Sequence, residues 1–197
     1  MKTEEMIRAI QTKLGIQVDG RAGPETWGAI YTHIVGMPVD NTIDLIDSRS
    51  EKCIATLLPE VQPLARALVQ KAALSGIHIK IISGLRTYAE QDELYAQGRT
   101  KPGVKVTNAR GGYSNHNFGI AFDIGVFEGN KYLGDSAKYK VVGALGMDIG
   151  LEWGGNWKTI VDQPHFQLRP AWANDFSEKI MLAQLRTRIS SGMPVYV

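Results

Sequence analysis

The sequence predicts an α+β fold for most of the chain, preceded by a small helical module at the N-terminus. Apolar residues recur at helical spacing over residues 60–74, whereas residues 77–82 and 118–126 alternate between two faces as strands do. In the first 35 residues, a helical pattern breaks at a glycine and is followed by Gly23-Pro24. Because proline suits the first position of a helix, this pair predicts a second short helix.

The chain has 197 residues, which is enough for one sizeable core and a small satellite module. We expect residues 1–44 to form the helical module and linker, residues 45–172 the central domain, and residues 173–197 a C-terminal helical extension. Each outer helix is predicted to bury one apolar face. These faces comprise Trp27, Ile30 and Tyr31 in the module, and Phe176, Ile180, Leu185 and Ile189 in the extension.

Composition excludes several classes of protein. The 22 Lys and Arg residues are scattered and nearly balanced by 20 Asp and Glu, so we expect no nucleic-acid partner. Cys53 is the single cysteine, which excludes an internal disulfide and a Cys-rich zinc site. No apolar run is long enough to span a bilayer, and the N-terminus does not read as a signal peptide. We therefore expect a monomer made in the cytoplasm, without stable membrane insertion.

Two of the four histidines are candidates for a metal site. His33 lies near the predicted linker and His78 alternates with core isoleucines, so both read as structural. His116 and His165 remain, and Asp123 follows His116 on the small-residue face of a predicted strand. A catalytic zinc site needs about three nitrogen or oxygen ligands and one open position. These three residues meet that need, although ordinary hydrogen-bonded roles stay open.

Asp162 stands three residues before His165, and Pro164 between them stiffens the turn. A carboxylate is thereby held near the predicted metal without having to ligate it. Such a group can take a proton from a zinc-bound water and pass it to a leaving amine, as peptide hydrolysis requires. A turn-capping role for Asp162 is the alternative.

Two motifs, in this order, resemble those of a known enzyme family. Residues 114–123, SNHNFGIAFD, fit the pattern S-x-H-x-x-G-x-A-x-D, and residues 162–165, DQPH, fit D-x-P-H. Residues 83–91, SGLRTYAEQ, and 151–155, LEWGG, are also similar to that family. It is the family of D-Ala-D-Ala carboxypeptidases and L-alanyl-D-glutamate endopeptidases, and its phage-endolysin branch is the most similar. The resemblance spans roughly residues 46 to 170.

The resemblance implies a small antiparallel sheet with flanking helices that carry a zinc site. It implies that Asp162 is the catalytic base and that Arg86 stabilises the developing oxyanion, a role suited to a permanently charged, rigid side chain. Ser114 matches a position near the substrate, although a serine there can equally cap a turn. The zinc ligands implied by the resemblance are His116, Asp123 and His165.

The N-terminal module resembles a small peptidoglycan-binding repeat. The matching segments are residues 18–20, VDG, and residues 23–26, GPET. The resemblance implies bacterial peptidoglycan as the partner of this segment. A helical hairpin that only packs on the main domain is the alternative.

The sequence therefore predicts an endolysin-type zinc peptidase that cuts peptidoglycan stem peptide, with the L-Ala–D-Glu bond as the expected target. Such an enzyme reaches the wall after its release from the host cytoplasm. A D-Ala-D-Ala carboxypeptidase of the same fold and a non-catalytic wall-binding protein are the alternatives. A non-haem iron oxygenase is disfavoured, because six residues separate His116 from Asp123 where that class usually has one.

Overall fold

The computed structural model of the protein describes residues 2–35 and 46–196. The chain divides into two compact units, Met1–Asp44 and Leu45–Val197. The linker predicted toward the end of residues 1–44 lies mostly outside the described residues. No helix in the described ranges is long and apolar enough to cross a membrane.

The N-terminal unit contains helices α1, Thr3–Leu14, and α2, Pro24–Val35. The two helices are joined through a buried polar side chain, because Gln11 Nε2 donates to Asp19 Oδ1 at 2.7 Å and to Thr26 Oγ1 at 2.9 Å. The prediction that Trp27 is buried was wrong, since its side chain is 60% exposed. Thr26 occupies the inner position of α2 instead, while the side chain of Tyr31 lies outside the described residues.

The second unit is an antiparallel sheet with helices around it, which confirms the predicted α+β class. Its strands are β1, His78–Ser83; β2, Ala121–Glu128; β3, Lys131–Leu133; β4, Glu152–Trp153; and β5, His165–Gln167. The strand order is β1-β2-β5-β4, and β3 also pairs with β2. Its helices are α3, Ser48–Ile54; α4, Gln62–Leu74; α5, Tyr88–Ala96; α6, Lys138–Asp148; and α7, Glu178–Ser190.

One face of the sheet forms the main core. Strand alternation turns Ile79 and Ile81 of β1 and Phe122 and Ile124 of β2 to this face, where they are fully or nearly fully buried. Phe122 stacks on Phe166 of β5, with ring centroids 5.8 Å apart. The opposite residues of β2, including Asp123, are thereby turned to the other face, where the candidate site lies.

Two predicted elements differ in detail from the structure. The strand predicted from residue 118 begins at Ala121, because a 3-10 helix, Asn115–Phe118, precedes it and ends at Gly119 in the left-handed conformation, with φ of 67°. The predicted buried face of α7 was right for Leu185 and wrong for the other residues. Ile180 and Ile189 are exposed, and α7 packs through Met181, Leu182 and Leu185 against Phe118 and Ile120.

Candidate metal centre

The pairing of β2 with β5 brings two of the predicted ligands together. Asp123 lies directly opposite His165 in the antiparallel register, so both side chains project from the same face of the sheet. His116 joins them from the 3-10 helix before β2. One donor atom from each residue lies within 4.8 Å of the others, which makes His116, Asp123 and His165 a three-residue cluster able to hold a metal ion.

His116 is oriented by the backbone on one side. Its Nδ1–H donates to the carbonyl oxygen of Gly84 at 2.8 Å, because that oxygen can only accept. The Arg86 N–H in turn donates to the His116 carbonyl at 3.0 Å, which ties the 3-10 helix to the segment after β1. Nε2 of His116 lies 3.2 Å from Asp123 Oδ1 and 3.3 Å from His165 Nδ1.

His165 is oriented through the other ring nitrogen. Its Nε2 contacts the side-chain oxygen of Gln167 at 3.0 Å, and its Nδ1 lies 3.2 Å from Asp123 Oδ1. Both histidines are almost completely buried. The two rings therefore each present a single nitrogen to Asp123, one through Nε2 and the other through Nδ1.

These separations fit a single small cation. Ligand atoms about 2.0–2.1 Å from an ion, arranged tetrahedrally, lie about 3.3 Å from one another. The three separations in the cluster are 3.2, 3.2 and 3.3 Å. In the metal-free cluster a proton between an imidazole and Asp123 offsets the charge of the carboxylate, and a bound cation would take the place of that proton. The donor set, two imidazoles and one carboxylate, is one that zinc and similar divalent metals accept.

Charge inside the cluster shifts the pKa values of its members. Burial alone would raise the pKa of Asp123, but the neighbouring His116 and His165 outweigh it and hold that pKa well below the usual range. Burial alone would lower the pKa of His165, but contact with Asp123 raises it. The carboxylate is thus kept ionised, which is the state in which it ligates a metal.

Asp162 reaches the edge of the site on a tight turn. Its N–H donates to the Gly154 carbonyl at 3.0 Å, and its own carbonyl accepts from the His165 N–H at 3.3 Å. A side chain at position 154 would place Cβ only 2.6 Å from the Asp162 carbonyl oxygen, so glycine is required for this approach. Burial, and then the charge of Asp123, raise the pKa of Asp162.

Arg86 contacts the carboxylate oxygen of Asp123 that the two histidines do not contact. Its Nη2 is 3.4 Å from Asp123 Oδ2 and donates to Ser83 Oγ at 2.9 Å. Its Nη1 donates to the buried Gln91 Oε1 at 2.8 Å. The guanidinium is therefore fixed beside the cluster by three side chains, of which sequence analysis did not single out Gln91. Gln91 is the last residue of the family-like segment 83–91, but that resemblance gave the glutamine no role of its own.

Ser114, His78 and His33 are the remaining residues that the sequence analysis discussed, and none of them is a donor in the cluster that the structure describes. Ser114 is the N-cap of the 3-10 helix that carries His116, and its N–H donates to Asn117 Oδ1 at 3.3 Å. Its contact with substrate stays a prediction. His78 packs on Phe127 at the far end of β1, and His33 belongs to the N-terminal unit. Among the residues that the structure describes, neither histidine joins the metal-ligand cluster.

Comparison with known proteins identifies the family. Residues 107–168 match the peptidase M15 family described as D-alanyl-D-alanine carboxypeptidase, and residues 2–30 match a putative peptidoglycan binding domain. The chain is 43% identical over 126 residues to the peptidoglycan L-alanyl-D-glutamate endopeptidase CwlK of Bacillus subtilis (strain 168), covering 58% of this chain and 74% of that protein. The chain therefore belongs to the M15 peptidase family, which confirms the resemblance found in its motifs.

Two further similarities are more distant. The L-alanyl-D-glutamate peptidase of Listeria phage A118 is 30% identical over 125 residues, which cover 61% of this chain and 41% of the phage protein. The crystal structure of the Serratia marcescens L-Ala D-Glu endopeptidase ChiX is 24% identical and superposes with a TM-score of 0.49, covering 65% of this chain and 93% of that one.

We predict that Asp162→Asn raises the free energy of unfolding of the metal-free protein at neutral pH. Because the folded-state pKa of Asp162 is raised, its ionisation opposes folding. That opposition is absent below the unfolded-state pKa, about 3.9, grows as the pH rises from there to the folded-state pKa, and stays constant above it. Urea denaturation with chelator at neutral and at acid pH measures the difference.

The matched control for this experiment is Asp148→Asn, which removes an exposed carboxylate that pairs with Lys71 at 3.0 Å. An exposed pair of this kind contributes at most about 1 kcal/mol, so the control stays close to the parent. A loss of stability at neutral pH in Asp162→Asn would contradict the account of its electrostatic environment.

Proposed function

We propose that this protein is an endolysin-type zinc peptidase that hydrolyses the L-Ala–D-Glu bond of peptidoglycan stem peptides. The observation that carries the proposal is the convergence of His116 Nε2, His165 Nδ1 and Asp123 Oδ1 at tetrahedral separations, with Asp162 beside them. The named activities of the Bacillus and Listeria phage relatives support the choice of bond.

In this proposal the three clustered side chains hold the metal, and Asp162 handles the proton. Bound zinc supplies Lewis acidity and lowers the pKa of a coordinated water to near neutrality. A carboxylate oxygen of Asp162 takes a proton from the attacking water and gives it to the nitrogen of the departing amine. Burial raises the pKa of Asp162, and a carboxylate with a raised pKa is a better proton acceptor.

Arg86 supplies positive charge for the developing oxyanion. Its hydrogen bonds to Ser83 and Gln91 fix the guanidinium before substrate arrives, so that little reorganisation is needed during the reaction. Gln91 is itself fixed, because its Nε2 donates to the Ala109 carbonyl at 2.8 Å. Arg86 is thereby rigid enough to act on charge that develops only in the transition state.

A D-Ala-D-Ala carboxypeptidase is the second candidate, since it is the activity by which the matching family is described. The two activities share the same hydrolytic chemistry but differ in substrate. A carboxypeptidase must recognise a free terminal carboxylate, whereas the endopeptidase must accept chain on both sides of the bond. The non-catalytic alternative is disfavoured because the donor cluster, Asp162 and Arg86 are all present and adjacent.

We predict that Asp162→Asn lowers kcat on purified peptidoglycan by about 100- to 10,000-fold, which is the usual contribution of a positioned acid–base group. Zinc content is expected to stay equal to that of the parent, because Asp162 is not one of the clustered donors. The assay measures new amino termini over time, alongside metal analysis of each protein. Asp148→Asn on α6 is the matched control, and parent-like turnover by Asp162→Asn would refute the proposed base.

We also propose that the N-terminal unit binds wall polymer and that the enzyme acts on the wall after release from the host cytoplasm. The match of residues 2–30 to a putative peptidoglycan binding domain supports the first part. The similarity to a Listeria phage peptidase supports the second. Trp27 is an exposed aromatic side chain on α2, and such a ring can pack on the apolar faces of sugars.

We predict that Trp27→Ala weakens co-sedimentation with purified sacculi and leaves hydrolysis of a soluble stem peptide at the parent rate. The reason is that Trp27 belongs to the N-terminal unit, whereas all the candidate catalytic side chains belong to the other. Ile34→Ala is the matched control, since Ile34 is also an exposed apolar residue of α2. Equal binding by parent and Trp27→Ala protein would show that this ring does not contact the wall.

A further inference from the structure

We infer that Gln167, fixed by Glu152, is a positioning residue that selects which nitrogen of His165 faces the metal. The inference rests on the metal centre of the proposed function. Gln167 is completely buried on β5, two residues after His165, and its side-chain oxygen lies 3.0 Å from His165 Nε2. Gln167 is thus not one of the three clustered donors, and it reaches the site through His165.

The direction of the Gln167 amide follows from its other neighbour. Its Nε2 donates to Glu152 Oε2 at 2.6 Å, and an ionised carboxylate can only accept. Reversing the amide would set its oxygen against that carboxylate. Asn115 Nδ2 also donates to the same oxygen of Gln167. The oxygen of Gln167 must therefore face His165.

This orientation fixes the tautomer of His165. Because Gln167 Oε1 can only accept, His165 Nε2 carries a proton, and the neutral ring that binds a metal therefore has its lone pair on Nδ1. Nδ1 is the atom that faces Asp123 and His116. The hydrogen bond thereby presents a lone pair to the metal position before any metal arrives.

Glu152 is fixed from outside by the C-terminal part of the chain. Arg169 donates through Nε to Glu152 Oε1 and through Nη2 to Glu178 Oε2 at 2.8 Å. Glu178 begins α7 and also accepts from Asn115 Nδ2. Arg169 and Glu178 lie beyond residue 168, where the family match ends. The segment after that match therefore contributes to the geometry of the metal centre through Arg169.

The test compares zinc affinity of the metal-free, folded proteins by competition with a chromophoric chelator. Gln167→Met keeps the volume of the side chain and removes the acceptor for His165 Nε2. We expect it to weaken zinc binding about 10- to 100-fold, the usual effect of losing such a partner. In the zinc-loaded parent, long-range proton–nitrogen spectra are expected to show the proton on Nε2 of His165, exchanging slowly with solvent, and to show faster exchange in the variant.

A double exchange tests the mechanism. Glu152→Gln combined with Gln167→Glu swaps the amide and the carboxylate. The carboxylate at position 167 can then accept from His165 Nε2, and the amide at position 152 can donate to that carboxylate. We expect this double variant to recover the parent's zinc affinity. Tyr196→Phe is the structural control, because it removes a 2.8 Å hydrogen bond to the Leu168 carbonyl without touching the network. It is expected to bind zinc as the parent does.

The outcomes separate the inference from the proposed function. Parent-like zinc affinity and parent-like proton exchange in folded Gln167→Met protein overturn the positioning role alone. A double variant that binds no better than Gln167→Met also overturns it. A parent protein that fails to bind zinc overturns the proposed metal centre as well.

Discussion

The register between β2 and β5 is the constraint on which the candidate site depends. Asp123 lies opposite His165, and pairing is extended when the Ile124 N–H donates to the Pro164 carbonyl at 3.0 Å. A slip of one residue would turn Asp123 toward the core and Phe122 toward the site. The same register sets the turn that carries Asp162. The strand pairing that packs β2 against β5 is therefore the same pairing that brings Asp123 and His165 together.

The site brings several ionisable side chains together away from water, and removing charged groups from water costs free energy. Asp123, His116 and His165 meet with little access to water, and Asp162 adds a second carboxylate whose pKa is raised by burial and by Asp123. A structure optimised for stability alone would not combine these groups. The surrounding hydrogen bonds, such as the one that His116 Nδ1–H donates to the Gly84 carbonyl, hold each donor where a cation could bind.

The sequence predicted the site better than it predicted the packing. Motifs at residues 114–123 and 162–165 predicted the donor cluster through their resemblance to a known family, because spacing alone left ordinary hydrogen-bonded roles open for these residues. The exposure of Trp27 was missed because a buried Gln11–Thr26 contact replaces an apolar one. The Glu152–Gln167 contact was not predicted either, because it depends on β4, a strand of two residues that has no periodicity to read.

The most direct test of the central claim is mass spectrometry of the products released from purified peptidoglycan, with parent enzyme, with chelator, and with zinc restored after chelation. The account predicts new D-Glu amino termini that disappear with chelator and return with zinc. Free D-Ala without new D-Glu termini would instead assign the carboxypeptidase activity. Release of D-Glu termini that is indifferent to chelator and zinc would contradict the metal-centred account.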